Sequence, residues 1–314
     1  MNFWGARDLK YQYEYIRHVE GYRNCISIGS QLVTIITYNV QSVLSEDRFE
    51  ALLEEIADIH WDVLVLVETW REAKREEFTV GSGHHFYGSG GLRGRCGIGF
   101  LVNKRHERHS FVPVDERLAF LDVKLVLGRC RIFGVYFPDS GHPDSELDII
   151  YEKLDARIQQ ARRRNTHIVL AGDFNAQVGH FEDFDDERII GKHGFGLRSD
   201  RGERLLRWCA VRDFVLTNTH FEADADRTWT YRNGCTYRQL DYILVDRFLF
   251  ARTVNSHVKE AIDIGSPHRA VEIEFLVGSP RQQYSKKRKH ICREWAVDVA
   301  KYKQALDDCF CEFF

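Results

Sequence analysis

The sequence predicts a mixed α/β fold in which two β-sheets pack face to face and helices cover their outer surfaces, a four-layer α-β-β-α sandwich. The main observation is the order of the patterns: strand patterns alternate with helix patterns in part of the chain and follow one another directly elsewhere. A simple parallel, doubly wound sheet would show the alternation throughout. The length of 314 residues and the hydrophobic content of 44% are sufficient for a large core.

Each element follows from a local pattern. Runs of β-branched, aliphatic and aromatic residues predict strands at 33–38, 62–67, 98–102, 120–127, 131–137, 166–171, 214–217, 228–231, 241–245, 254–259 and 270–277. The second of these is aliphatic at consecutive positions, which is typical of a strand buried on both faces. Apolar residues at helical spacing predict helices at 46–59, 145–164 and 204–211.

Composition divides the chain into three parts. Residues 1–32 lack an amphipathic period and are predicted to be an N-terminal extension. Residues 33–277 contain the predicted strands and form the predicted main domain. A polar segment rich in turn-forming residues begins at Gly278, so 278–314 is predicted to be a basic linker followed by a C-terminal helical segment.

The formal charge of −3 argues against a generic basic coat for nucleic acid, but the charge is unevenly distributed. The main domain has 32 basic and 39 acidic residues, a net charge of −7, whereas 278–314 has a net charge of +3. The acidic domain is therefore the part in which we expect the chemistry.

The cysteines and the apolar runs predict an intracellular, reducing location. Eight cysteines are scattered without a Cys-x-x-Cys pair, which is typical of buried free thiols rather than a disulfide frame or a zinc site. No apolar run is long enough to cross a bilayer, and no signal peptide follows the first residue. The basic run at 286–289 is compatible with a nuclear location, but a solvated linker is the simpler interpretation.

Polar side chains recur at the ends of the predicted buried strands, where a rigid sheet edge can bring them together. They are Asn39, Glu68, Tyr136, Asp173, Asn175, Asp241 and His268. Taken singly, each has an ordinary explanation. Glu68 could cap a following helix, the segment containing Asp173 could be a simple turn, Asp241 could pair with an arginine, and a lone histidine is rarely a catalyst.

Taken in order, these residues resemble the endonuclease/exonuclease/phosphatase superfamily, a metal-dependent family with the DNase I-like fold. The resemblance extends over roughly 33–277. It rests on the motifs Thr-Tyr-Asn39-Val, Glu68-Thr-Trp, Tyr136-Phe-Pro, Gly-Asp173-Phe-Asn175-Ala, Leu-Asp241-Tyr-Ile and Pro-His268.

Within the superfamily, the chain looks most like the endonuclease domains of LINE-type retrotransposons and relatives similar to craniofacial development protein 2. The motifs that carry this likeness are Pro138-Asp-Ser-Gly-His-Pro, Gly172-Asp-Phe-Asn-Ala-Gln-Val-Gly and Gly194-Phe-Gly-Leu-Arg-Ser-Asp-Arg-Gly. Phosphoinositide phosphatases of the superfamily look like Trp-Cys-Asp-Arg where this chain has Gln239-Leu-Asp-Tyr, which favours a nuclease.

The resemblance implies a phosphodiesterase that depends on Mg²⁺, with Mn²⁺ as an alternative. Asn39 and Glu68 would hold the cation through oxygen ligands. Asp173 would orient and deprotonate the attacking water, and Asn175 would fix the geometry. No organic cofactor is implied.

The resemblance also implies how the phosphate would be held. His268 would donate to a non-bridging phosphoryl oxygen, while Asp241 would hold its ring and favour its charged form. Tyr136 would contact the phosphate or assist the leaving oxygen.

The implied partner is DNA, with a possible downstream reverse-transcriptase module outside this chain. Loop arginines near the strand ends are candidate phosphate contacts, which supply affinity but little sequence information. They are Arg93, Arg95, Arg198, Arg201, Arg232 and Arg238. For any one of them, solvated loop charge is an equally good interpretation.

Three positions depart from the family pattern. Pro267 stands where relatives have an aspartate, Gln41 where abasic-site nucleases of the superfamily have an acid, and Ser199 where relatives have an asparagine. The alternatives to a DNA endonuclease are therefore a superfamily phosphatase or RNA exonuclease, and a catalytically impaired remnant that still binds nucleic acid.

Overall fold

The computed structural model describes residues 31–91, 95–224 and 227–277. Leu32–Val277 belongs to one compact unit. The predicted extension up to residue 30, the predicted linker and helical segment at 278–314, and Arg93 lie outside the described residues.

The described chain contains fifteen strands and four α-helices. The strands are β1 (Gln31–Asn39), β2 (Val63–Val67), β3 (Glu76–Thr79), β4 (His85–Ser89), β5 (Ile98–Val102), β6 (His109–Pro113), β7 (Leu118–Leu125), β8 (Gly128–Tyr136), β9 (His167–Asp173), β10 (Phe214–Leu216), β11 (Tyr231–Asn233), β12 (Thr236–Arg238), β13 (Asp241–Asp246), β14 (Thr253–Lys259) and β15 (Ala270–Val277). The helices are α1 (Glu46–Glu55), α2 (Asp144–Arg163), α3 (Asp200–Arg212) and α4 (Arg247–Phe250).

The strands form two large mixed sheets and a small ribbon. A seven-stranded sheet has the order β14-β15-β1-β2-β5-β4-β3, and a six-stranded sheet has the order β10-β13-β9-β8-β7-β6. The ribbon consists of β11 and β12. In the two large sheets, β1 pairs in parallel with β2 and β8 pairs in parallel with β9, so their C-terminal ends can supply side chains to a common edge.

Three hydrophobic clusters show why the chain forms layers. One cluster lies between the sheets and includes Val65 of β2 and Ile132 of β8. A second includes Leu52 of α1 and residues of β1 and β2, and a third includes Leu154 of α2, residues of α3, and β8 and β9. The four-layer sandwich predicted from the sequence is therefore confirmed.

The sheets approach closely at β8, where the sequence has Gly134. A Cβ atom at this position would lie 2.4 Å from Cγ2 of Ile98 on the opposite sheet. This contact is far shorter than ordinary packing allows, so the interface requires glycine there.

Two of the helix starts follow from serine caps. Ser45 accepts a hydrogen bond from the Arg48 amide before α1, and Ser199 accepts one from the Gly202 amide before α3. The second cap explains why α3 begins four residues before the predicted start at 204. The predicted end of the first helix at 59 was wrong, because α1 ends at Glu55.

Several elements were missed by the sequence patterns. β3, β4, β6, β12 and α4 were not predicted, and the predicted strand at 228–231 was wrong because β11 begins at Tyr231. Most of the missed strands are short and partly exposed, so they lack the continuous apolar run of a central strand.

Two further observations concern the predicted location. Cys96, Cys130 and Cys209 are buried and Cys235 is exposed, and all four are free thiols. Among the helices of the described residues, none is long and apolar enough to cross a membrane.

Candidate active site

The strand register brings the predicted residues to one edge of the sandwich. Tyr136 at the end of β8 pairs with Asp173 at the end of β9, and Asp173 pairs on its other side with Asp241 at the start of β13. In the seven-stranded sheet, Asn39 ends β1 beside the end of β2, and Glu68 follows directly. The edge opens into a cleft of about 850 Å³ lined by Glu68, Tyr136, Asp173 and other residues.

Left-handed backbone conformations cluster at this edge. Five non-glycine residues there have positive φ, namely Gln41, Ser42, Glu68, Trp70 and Asn175. Such conformations cost free energy for L-residues and persist where surrounding hydrogen bonds determine them. One example is the Ser42 amide, which donates to the Glu68 carbonyl at 2.8 Å.

Asn39 connects the two sheets through its side-chain amide. Its Nδ2 donates to Oε1 of Glu68 at 2.8 Å and to Oδ2 of Asp173 at 3.0 Å. Asn39 is fully buried, so its amide is held in place between the two carboxylates. The Trp70 indole donates to the other oxygen of Glu68 at 3.3 Å, which further restricts that carboxylate.

Asp241 and His268 form a buried pair. The ring Nδ1 of His268 lies 2.9 Å from Oδ2 of Asp241, and its Nε2 lies 3.9 Å from Oδ2 of Asp173. Burial opposes the charged ring, but the carboxylates of Asp241 and Asp173 outweigh it and raise the pKa of His268 to about 9. The ring is therefore a cation at neutral pH whose Nε2 is beyond hydrogen-bond distance of Asp173.

Asp173 occupies the centre of the cluster. Burial and the nearby charge of Asp241 raise its pKa to about 7, while the His268 cation and the Asn175 amide act in the opposite direction. The backbone amide of Asn175 donates to Oδ1 of Asp173 at 2.9 Å. The side-chain Nδ2 of Asn175 donates to the Phe137 carbonyl at 2.8 Å. These bonds orient the carboxyl from the side opposite Asn39.

Tyr136 is held as a neutral phenol. Burial, followed by the charges of Glu68 and Asp173, raises its pKa above the ordinary value. The guanidinium of Arg117 lies over its ring, 4.9 Å from the centroid. The hydroxyl therefore remains a proton donor throughout the neutral range.

Several residues that support the site had no clear signal in the sequence. The hydroxyl of Ser266 donates to the Asn39 carbonyl at 2.6 Å and accepts from the His268 amide at 3.1 Å. The hydroxyl of Thr230 accepts from the Leu240 and Asp241 amides at 2.9 and 3.0 Å. The position of Ser266 beside the Pro-His motif could have identified it, and Thr230 is the last residue of Thr228-Trp-Thr, a segment that also resembles the LINE-type relatives.

Tyr231 was also missed. It forms a bridge with His268 across the base of the β11–β12 ribbon, and the two ring centroids are 4.7 Å apart. The Arg232 amide donates to the Pro267 carbonyl at 2.9 Å in the same region. The ribbon thus holds the segment that carries His268.

The predicted arginines divide into different groups. Arg238 lines the cleft and is exposed, and Arg95 and Arg232 are also exposed. Arg201 lines the cleft as well, but its guanidinium donates to the carbonyls of Pro138 and His142 and pairs with Asp144.

Arg198 uses its guanidinium within the fold. It pairs with Asp185 and Glu203, and its Nε donates to the Val178 carbonyl at 2.8 Å. The contact of Arg198 with phosphate stays a prediction, and its donors are already engaged.

The donor set fits a hard divalent cation. Glu68, Asp173 and His268 are the one group of acidic, histidine or cysteine side chains in the described residues with ligand atoms within 4.8 Å of one another, and its oxygen ligands are the two carboxylates, since the charged His268 ring can only donate. Asn39 directs its Nδ2 at both carboxylates, and its Oδ1 accepts from the Gln41 amide at 3.2 Å, so Asn39 could be a ligand for Mg²⁺ only with its side-chain amide turned over. Oδ1 of Asp241 is buried and has no hydrogen-bond partner among the described residues, so the site also has unused acceptor capacity. Pro267 contributes no carboxylate.

The chain is similar to known proteins over most of its described part. The model of the family described as Endonuclease/Exonuclease/phosphatase family matches residues 36–268. Craniofacial development protein 2 from Bos taurus is 25% identical over 244 residues, which cover 76% of this chain and 40% of that protein. The chain therefore spans about 40% of the length of the curated relatives it matches.

Two solved structures are similar in fold. The structure of the 3′ phosphatase NExo from Neisseria bound to a product DNA hairpin has a TM-score of 0.58 and 19% identity, covering 77% of this chain and 99% of that chain. The endonuclease domain of TRAS1, a telomere-specific non-LTR retrotransposon, has a TM-score of 0.52 and 12% identity, covering 77% and 98%.

Proposed function

The chain belongs to the endonuclease/exonuclease/phosphatase family, and on this premise we propose that it is a Mg²⁺-dependent endonuclease of the retrotransposon type that nicks DNA. The observation that carries the proposal is the Asp241–His268 pair, which faces Asp173 beside the Asn39–Glu68 amide contact in one cleft. We further propose that 33–277 is the catalytic domain and that it acts in a reducing, intracellular compartment, which the free thiols support.

The residues of the cleft supply what hydrolysis of a phosphodiester requires. Asn39 and Glu68 would hold Mg²⁺, which supplies charge neutralisation to the anionic substrate when it is bound. Asp173 accepts a proton from the attacking water, and hydrogen bonds from Asn39 and Asn175 orient its carboxyl.

The other side of the cleft binds the phosphoryl group. The cationic His268 donates from Nε2 to a non-bridging oxygen, since Asp241 occupies Nδ1 and fixes the ring. The Tyr136 hydroxyl donates a hydrogen bond to the phosphate or to the leaving oxygen as its bond to phosphorus breaks. Arg95, Arg232 and Arg238 contact backbone phosphates of the DNA, which position the strand without reading its sequence.

Pro267 favours a second candidate, a catalytically impaired protein that binds nucleic acid. The family has an acid at this position, and a proline cannot serve as a ligand or orient a neighbouring group through its side chain. The backbone around it nevertheless keeps the contacts that hold His268, including the bond from the His268 amide to Ser266.

Supercoiled plasmid incubated with Mg²⁺ distinguishes the two candidates. We expect relaxed plasmid from the unmodified chain, and a loss of at least about 100-fold in nicking rate for Asp173→Asn and for His268→Gln, because each removes a proton-transfer or phosphate-binding group. Asp58→Asn, at an exposed position, is the matched control and should retain full activity. Plasmid binding without relaxation would support the impaired candidate, and turnover of RNA or phosphoinositides alone would refute the DNA assignment.

A further inference from the structure

A second cavity lies at the other end of the six-stranded sheet and has a volume of about 330 Å³. We call it the basic cavity, and it is lined by Arg108, Lys124, Arg129 and Arg164 together with Arg131 and Asp122. Arg129 and Tyr136 lie near opposite ends of β8, so at roughly 3.3 Å per residue they are about 23 Å apart. The basic cavity is therefore separate from the catalytic cleft.

Most of the positive charge in the basic cavity is not neutralised. Asp122 is the one carboxylate among its described lining residues, and it forms two hydrogen bonds to Arg131, at 2.6 and 2.7 Å. Arg131 is thereby paired. The other four cations are exposed, and none has an ion pair or a side-chain hydrogen bond with another described residue.

Their arrangement opposes folding stability. Lys124 and Arg129 occupy directly opposite positions on the antiparallel strands β7 and β8. Like charges at such positions repel and destabilise a sheet. The Lys124 amide donates to the Arg108 carbonyl at 3.0 Å, so a third cation lies on the adjoining segment.

The helix dipole accounts for one of the four cations only. Arg164 directly follows α2, where a positive charge stabilises the helix end. No comparable effect applies to Arg108, Lys124 and Arg129, which span about 10 Å at the usual spacing of neighbouring strands. A gathering of unpaired cations in a concave surface is suited to an anionic ligand.

We propose that the basic cavity binds backbone phosphates of a nucleic-acid segment that lies outside the catalytic cleft. Arginine forks match phosphate geometry and lysine adds a mobile point charge, while the hydroxyl of Ser110 lines the same cavity as a further donor. The row of cations is wider than one phosphate group, which favours a polymer with repeated phosphates over a small anion. The inference does not depend on turnover in the catalytic cleft.

The first test measures binding of a labelled DNA duplex to the full chain in EDTA, which prevents metal-dependent cleavage. In the double variant Lys124→Ala/Arg129→Ala we expect the slope of log affinity against log salt to become shallower by about 1.8, because two phosphate contacts are lost. If the affinities of the double variant and the unmodified chain converge at about 1 M salt, this change in slope makes the variant bind DNA about 60-fold more weakly at about 0.1 M salt. Thermal unfolding should be unchanged or shifted upward, since a repulsion is removed.

The matched control is Arg188→Ala/Arg207→Ala, which removes the same charge from exposed positions outside both cavities. Its salt slope should equal that of the unmodified chain. An equal loss of DNA affinity in the two double variants, or no loss of affinity in either, would overturn the proposal.

The second test uses the unmodified chain and therefore does not depend on the folding of a variant. Lysine acylation read by mass spectrometry should show that DNA protects Lys124 while the reference Lys192 keeps its reactivity. Equal protection of Lys124 by inorganic phosphate at the same phosphate concentration would refute a nucleic-acid ligand. If the unmodified chain does not nick plasmid but DNA still protects Lys124 from acylation, the proposed endonuclease function is refuted and this inference stands.

Discussion

Thr230 is predicted to stabilise the fold through its hydroxyl, which holds the start of β13. Its Oγ1 accepts hydrogen bonds from the amides of Leu240 and Asp241, and the residue is fully buried. Thr230→Val keeps the shape of the side chain but leaves both amides without an acceptor. An unsatisfied buried amide costs about 1–3 kcal/mol, so we expect a loss of roughly 2–6 kcal/mol in the free energy of unfolding.

Urea unfolding followed by circular dichroism measures this loss. Thr230→Ser retains the oxygen and should lose only roughly 1 kcal/mol from the missing methyl group. Thr37→Val is the matched control, because the Thr37 hydroxyl is buried and has no hydrogen-bond partner among the described residues. We expect Thr37→Val to be neutral or stabilising.

The reasoning would be refuted if Thr230→Val were no more destabilising than Thr230→Ser. It would also be refuted if Thr37→Val and Thr230→Val cost the same, since burial rather than hydrogen bonding would then explain both. A folded Thr230→Val variant should in addition nick plasmid more slowly, because the Asp241 backbone is no longer held beside His268.

Three further predictions concern pH, backbone geometry and the metal. Burial opposes ionisation of Asp62, but contacts with His106, the Thr34 amide and Arg105 outweigh it and hold its pKa below the ordinary value. The contribution of Asp62 to the free energy of unfolding is therefore present above about pH 4 and is lost as the pH falls through the lowered pKa. Asp62→Asn should lower the free energy of unfolding at pH 7 by roughly 1–3 kcal/mol and flatten its acid dependence in urea titrations, and an unchanged acid slope would contradict the assignment. Gly172→Ala should reduce thermal stability severely, because φ is 151° and the new Cβ would lie 1.9 Å from the Val135 carbonyl oxygen; an unchanged melting temperature would show that the strands can separate there. EDTA should abolish plasmid nicking and added Mg²⁺ should restore it, whereas nicking that persists in EDTA would exclude a role for the cation.

β2 and β5 could be predicted because they are apolar and buried along their whole length. β5 begins and ends at the predicted residues, and β2 differs by one residue at its start. β15 also begins and ends at the predicted residues, where apolar residues flank Glu272 and Glu274. β3 and β4 were missed because each is short and mixes polar with apolar residues, so the chain around Glu76 and His85 gives no strand signal.

The candidate site could be predicted in part. The family indicated by the motifs was confirmed. Five of the seven motif residues line one cleft, and the other two, Asn39 and Asp241, contact Asp173 and His268, while the chemical roles of all seven remain predictions. The left-handed backbone of Gln41 and the hydrogen-bonding role of Thr230 could not be predicted, because both depend on partners distant along the chain. Arg198 shows the converse, since a loop arginine that looked available is engaged by Asp185 and Glu203.

The sequence by itself determined the layered α/β class, the family and the side chains at the strand ends, because apolar periodicity and short motifs are local properties. Tertiary structure alone decided which cations are unpaired. Arg198 and Arg129 look alike in the sequence, yet one lies among carboxylates and the other stands opposite Lys124 in the basic cavity. The electrostatic role of a charge depends on its neighbours in space, and those neighbours are set by strand register rather than by position along the chain.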